Sequence, residues 1–119
     1  MSILSTIAVS LVIVLHILFM VLEMFFWNTP FGRKTFGLKE DYAKQSATLA
    51  ANQGLYNGFL AAGLIWSLAS PPNATAISVF FLCCVIVAGV FGAITAKRSI
   101  LFIQALPGAI ALAMVLASG

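Results

Sequence analysis

Charge is confined almost entirely to two short stretches of this chain. Of its nine charged side chains, six basic and three acidic, all but Glu23 lie between Arg33 and Lys44 or at Lys97 and Arg98. The intervals between them are long apolar runs, close to the roughly 20 residues that a helix needs to cross a bilayer. Backbone groups in hydrocarbon must find their partners within the segment, and α-helix is the form in which such a run does so. A soluble domain carries about a quarter charged residues. Here the share is 8%, with a mean hydropathy of +1.11, a balance that argues for a membrane fold and against a water-soluble one.

The pattern predicts four crossings, at about residues 3–27, 47–68, 74–96 and 99–118. They consume the 119 residues, so the expected architecture is all-α: one domain over residues 1–119, an integral membrane bundle of four transmembrane helices. The first run has no basic residue before it, carries Glu23 and lacks a small-x-small cleavage site, so it is expected to stay as a helix rather than act as a signal peptide. Trp27 marks an interface and Pro30 stops the helix. The polar stretch from Phe31 to Ser46 reads as a solvated turn with Gly32 and Gly37 as turn points, helical from about Leu38 and with Glu40 and Lys44 spaced for a helical pair. Ser70-Pro71-Pro72-Asn73 separates the second and third crossings. Because every Lys and Arg follows crossing one or crossing three, the positive-inside rule puts both of those turns in the cytoplasm and both termini outside. The expected location is the cytoplasmic membrane, multi-pass, with the lipid bilayer as partner and no nucleic acid.

Polar side chains inside a bilayer are costly, so their positions point to function. On crossing one, His16, Met20, Glu23 and Trp27 follow i, i+4, i+7, i+11 spacing and form one stripe. On crossing two, Asn52, Gln53, Tyr56 and Asn57 occupy an arc of roughly 140°, while Gly54, Gly58 and Ala62 recur every four residues as a helix-packing face. Crossing three adds Gly89, Gly92 and Thr95, Arg98 follows it, and crossing four adds Gln104 before Pro107, whose missing N–H frees the carbonyl of Ile103 and predicts a kink. At 1.5 Å per residue Glu23 lies about 6 Å from the cytoplasmic end of its helix, His16 about 16 Å, Asn57 about 15 Å and Gln104 about 8 Å. The expectation is a polar pocket open to the cytoplasm and closed outward. The plainer reading is that the amides are interhelical glue, contributing about 0.6 to 2 kcal/mol each. Glu23 stands apart, since a carboxylate near the midplane costs several kcal/mol unless paired or protonated. Cys83 and Cys84 are adjacent in an apolar run and read as packing residues. No metal site and no cofactor is expected.

Taken together, His16 through Trp27, Gly32-Arg33-Lys34, Phe36-Gly37, the run from Ala51 through Gly63, and then Gly89, Gly92, Thr95 and Gln104-Ala105-Leu106-Pro107 resemble a family of short microbial integral membrane proteins catalogued as domain of unknown function 1304. The resemblance covers nearly the whole chain. It implies four membrane helices and lends no activity.

Three functions follow from the residues. The first is a ligand-binding membrane protein that holds a small or lipid-like, amphipathic molecule among Glu23, His16, Asn52, Gln53, Tyr56, Asn57, Thr95, Arg98 and Gln104. Glu23 and His16 would then be the catalytic pair if the site does acid-base, isomerase-like chemistry, because Glu and His are residue types that pass protons. The second is a small proton-coupled transporter working as a homodimer, although the basic bias fixes one orientation and argues against an antiparallel pair. The third is an assembly or regulatory subunit that docks through Gly54 and Gly58.

Overall fold

A computed structural model describes residues 1–118. All regular structure among them is helical: α1 (Ile3–Val21), a π-helical segment Leu22–Phe26 continuous with it, α2 (Pro30–Phe36), α3 (Glu40–Ala69), a 3₁₀ turn Pro71–Asn73, α4 (Ala74–Thr95), a second π segment Leu101–Ala105, and α5 (Leu106–Ala117). The all-α expectation is met. Two of these stretches, Ile3–Phe26 and Pro71–Thr95, are long and apolar enough to cross a membrane, and Leu101–Ala117 is a shorter apolar helix. The 30 residues of α3 reach about 45 Å, but its first two thirds carry Lys44, Asn52, Gln53 and Asn57 and are too polar for the same description.

By its internal contacts the chain divides into two units, one of residues 1–15 with residues 60–118 and the other His16–Phe59. The first unit has an apolar core in which Val9, Val12 and Ile13 of α1 meet Ala61 and Leu64 of α3, Leu82 and Val85 of α4, and Ala111 and Val115 of α5. Two of its buried serines turn back on their own helices: Ser67 donates to the Leu64 carbonyl at 2.5 Å and Ser78 to that of Ala74 at 2.6 Å. Such i−3 and i−4 bonds satisfy a hydroxyl without calling on another helix. Cys83 and Cys84 are free thiols, and Cys83 is exposed on α4 rather than packed in the core. Before Pro107 the helix adopts π geometry, with the Leu106 N–H reaching the Leu101 carbonyl five residues back. The disturbance expected from the proline thus takes the form of a widened turn.

The second unit is built on a tight entry into α3. Thr29 caps α2, its Oγ1 accepting from the Gly32 N–H at 3.1 Å, and Pro30 occupies the first turn, where its missing N–H costs nothing. Gly37 ends α2 in the left-handed region at φ 66°, its N–H returning to the Arg33 carbonyl, a conformation open to glycine because it has no Cβ. The stretch expected to be a turn from Phe31 to Phe36 is therefore helix. Gly32 is not a turn point but a buried helical residue, and a Cβ there would collide with the Phe26 carbonyl. Arg33 donates from one Nη to both the backbone and side-chain oxygens of Asn28, at 3.1 Å each. Glu40 and Asp41 lie in the first turn of α3, where acidic side chains complement the helix dipole.

Candidate functional site

Within the second unit Glu23 is buried, 6% exposed, and α3 supplies both amide partners of its carboxylate. Gln53 donates from Nε2 to one carboxylate oxygen at 2.8 Å, and Asn57 donates from Nδ2 to the other at 2.5 Å. Helical phase explains the pair. At 100° per residue Gln53 and Asn57 stand about 40° apart on α3, so one facing carboxylate can meet both, whereas Asn52 is turned about 100° from Gln53 and about 140° from Asn57. Asn52 is accordingly exposed, as is Tyr56, whose ring packs edge-on against Phe59 with centroids 5.6 Å apart.

Glu23 is the second residue of the π segment Leu22–Phe26. A π turn closes by i→i+5 bonds and so holds one residue more than an α turn. Close approach of the two helices is set by glycine: a Cβ on Gly54 would lie 2.8 Å from Met24 Cγ, 3.0 Å from Glu23 Cβ and 3.1 Å from the Met20 carbonyl oxygen. Gly58 faces the same neighbour more loosely, its hypothetical Cβ 2.7 Å from Met20 Sδ. Ala62, the third residue expected on this packing face, is exposed and belongs to the other unit.

His16 is fully buried, its ring edge-on to Phe19 at 5.3 Å. Seven residues separate it from Glu23, about 10 Å along the helix axis. The two share a face, but the hydrogen bonds of the Glu23 carboxylate go to α3 and not to a paired imidazole. At the far end of the π segment Trp27 donates from Nε1 to Ser46 Oγ at 2.9 Å, and Ser46 in turn donates to the Tyr42 carbonyl at 2.6 Å. The Trp27 ring lies 4.8 Å from that of Phe36. This polar clasp joins the end of the first apolar stretch to the start of α3 and was not anticipated from the sequence. A serine at the edge of a helix carries no distinguishing signal.

Thr95, Arg98 and Gln104 belong to the other unit. Thr95 donates to the Phe91 carbonyl of its own helix at 2.7 Å and is exposed, Arg98 is exposed in the turn after α4, and Gln104 is buried in the second π segment. Two apolar depressions also lie in that unit. One, of about 520 Å³, is lined by Phe80, Cys83, Val87 and Phe91 with Cys84 and Ala88, and one, of about 330 Å³, lies between α4 and the Leu101–Ala109 stretch. Neither is lined by a residue expected to hold a ligand. No group of three or more metal-ligating side chains occurs among the described residues.

What the arrangement can do chemically is limited and specific. A carboxylate oxygen has two lone pairs, and each oxygen of Glu23 has one amide donor, which leaves acceptor capacity on both. The chain has a relative in the protein YpaA of Lactococcus lactis subsp. lactis (strain IL1403), described as uncharacterized, at 31% identity over 102 residues, 83% of this chain and 86% of that one. No solved structure matches it. The family model described as protein of unknown function (DUF1304) matches residues 10–116, and the chain belongs to that family.

Proposed function

We propose that this is a polytopic protein of the cytoplasmic membrane that binds a small or amphipathic molecule at Glu23, close to the cytoplasmic surface. The membrane reading is supported by the two long apolar helices, in which only 28% and 22% of the most apolar window is buried. A core helix of a soluble protein is mostly buried, and side chains such as Ile3 (81% exposed) and Ile94 (79% exposed) would be strongly unfavourable in water. Four crossings with both termini outside fit the basic residues, which cluster around α2 and at Lys97 and Arg98.

One observation carries the binding reading: a nearly buried carboxylate in a widened helical turn, held by two amides and with acceptor capacity to spare. Structural glue needs only amides, and a carboxylate in hydrocarbon carries a desolvation cost that an amide does not. His16 is two turns deeper, so it would act on a ligand long enough to extend along α1, not on the group that Glu23 holds.

The test is mass spectrometry of the intact protein released from detergent, comparing the parent with Glu23→Gln. The expected result is a small-molecule adduct on the parent that is absent from a variant of similar thermal stability. Identical adducts on the two proteins, or none on either together with equal activity in cells, would refute the binding role.

A further inference from the structure

Resting on the binding role of Glu23, we infer the class of ligand: an amphipath with an ammonium headgroup, entering sideways from the cytoplasmic leaflet. The inference starts from charge. Both hydrogen-bond partners of the carboxylate are neutral amides, so an anionic Glu23 has hydrogen bonds without a counter-charge from them. In a medium of low dielectric an opposite charge within a few ångströms contributes far more than another neutral donor. An ammonium group supplies that charge together with three N–H donors, which suits the unused acceptor capacity on the two oxygens. An alcohol brings a donor without charge, and a carboxylate brings repulsion.

Access is the second strand. Gln53, which holds one carboxylate oxygen, is itself exposed on α3. Three residues on from Glu23 in the π segment, Phe26 is 42% exposed, and Tyr56, three residues along from Gln53, is 57% exposed. The carboxylate therefore lies just behind an apolar, aromatic surface of the unit rather than at the bottom of an enclosed cavity. In a bilayer that surface meets acyl chains. Glu23 stands about 6 Å from the end of its helix at Trp27, the level at which the headgroup of an amphipath gives way to its tail, and exposed aromatic faces add cation–π attraction for an ammonium group.

The experiment uses three single-chain probes with the same tail, dodecylamine, dodecanol and dodecanoate, added to the purified protein in an uncharged detergent at neutral pH. Affinity is read from the shift in thermal unfolding midpoint as each probe is titrated. The expected result is that dodecylamine binds the parent at least tenfold more tightly than either other probe, and that Glu23→Gln removes this preference. Binding of dodecanol or dodecanoate that equals or exceeds that of the amine, and that is lost in Glu23→Gln, overturns the ammonium assignment while leaving Glu23 a binding residue. Failure of Glu23→Gln to weaken any probe overturns both. Should that variant not fold, the parent alone decides: dicyclohexylcarbodiimide should couple bound dodecylamine to Glu23 as an amide, with dicyclohexylurea leaving, and formation of the N-acylurea at Glu23 with no amide would refute the assignment.

Discussion

Alanine at Gly54 and alanine at Gly58 should change stability in opposite directions. In a helix interior alanine is favoured over glycine by about 0.8–1.0 kcal/mol, a gain common to both sites. The opposing term differs. At position 54 the new methyl would meet Glu23 Cβ at 3.0 Å and the Met20 carbonyl oxygen at 3.1 Å as well as Met24 Cγ at 2.8 Å, and the first two can move only if the helix carrying Glu23 moves. Overpacking of that kind costs about 1–3 kcal/mol. At position 58 the nearest atoms are Met20 Sδ at 2.7 Å and Cγ at 3.6 Å, the mobile part of a flexible side chain that can adopt another rotamer at small cost. Gly54→Ala is therefore expected to be neutral to about 2 kcal/mol destabilising, and Gly58→Ala neutral to about 1 kcal/mol stabilising. Reversible unfolding of the two variants and the parent in mixed micelles, titrated with a denaturing detergent, measures the difference. The displacement at position 54 should also lengthen the hydrogen bonds to Glu23, so its loss of stability should come with weaker ligand binding. Equal changes in the two variants, or a Gly54→Ala protein stabilised by the full helix-propensity gain, would refute the close approach.

A double-mutant cycle between Glu23→Ala and Asn57→Ala should give a coupling of about 0.6–2 kcal/mol, the range for hydrogen bonds between membrane helices; additive effects within error would show that the contact contributes nothing. Gly37→Ala should destabilise the second unit by about 1–2 kcal/mol, because a Cβ is disfavoured at φ 66°, and an unchanged unfolding midpoint would remove the left-handed cap. Thr29→Ala, which removes the side-chain acceptor for the Gly32 N–H, should cost about 1 kcal/mol, read in the same assay, where a loss below about 0.3 kcal/mol would count against the cap. A reporter active only outside the cell should report when fused after Gly119 and stay silent when inserted at Gly37; the reverse pattern would invert the proposed topology.

Much of the helical layout was legible because apolar runs, proline breaks and clustered charge are strong one-dimensional signals. The partnership of Glu23 with Gln53 and Asn57 was legible in part, since four-residue spacing placed both amides within one arc. Asn52 and Tyr56 fell outside it for a reason equally present in the sequence: a helix advances 100° per residue, so an arc of 140° is wider than one carboxylate can reach. The same drift separates Ala62 from Gly54 and Gly58. Each four-residue step turns the helix by 40°, and after two steps Ala62 stands about 80° from Gly54 and is exposed. The π segment at Leu101–Ala105 had a signal in Pro107. The one at Leu22–Phe26 had none in its own residues, because Leu-Glu-Met-Phe-Phe contains no helix breaker.

That first widened turn also makes the chain unusual in its tolerance of length. An i→i+5 turn contains one residue more than the helix requires, so excision of a single residue from Met24–Phe26 can be absorbed by closing the turn to ordinary α geometry, with every backbone donor still served. The clasp of Trp27 on Ser46 and the hold of Gln53 and Asn57 on Glu23 would then be separated by a different number of residues and could not both keep their registers. Homologues one residue shorter in this stretch would thus retain their helices and surrender either the clasp or the carboxylate's two amides, which makes the length of this turn, more than the identity of its apolar residues, the feature by which relatives that keep the Glu23 site can be sorted from those that have lost it.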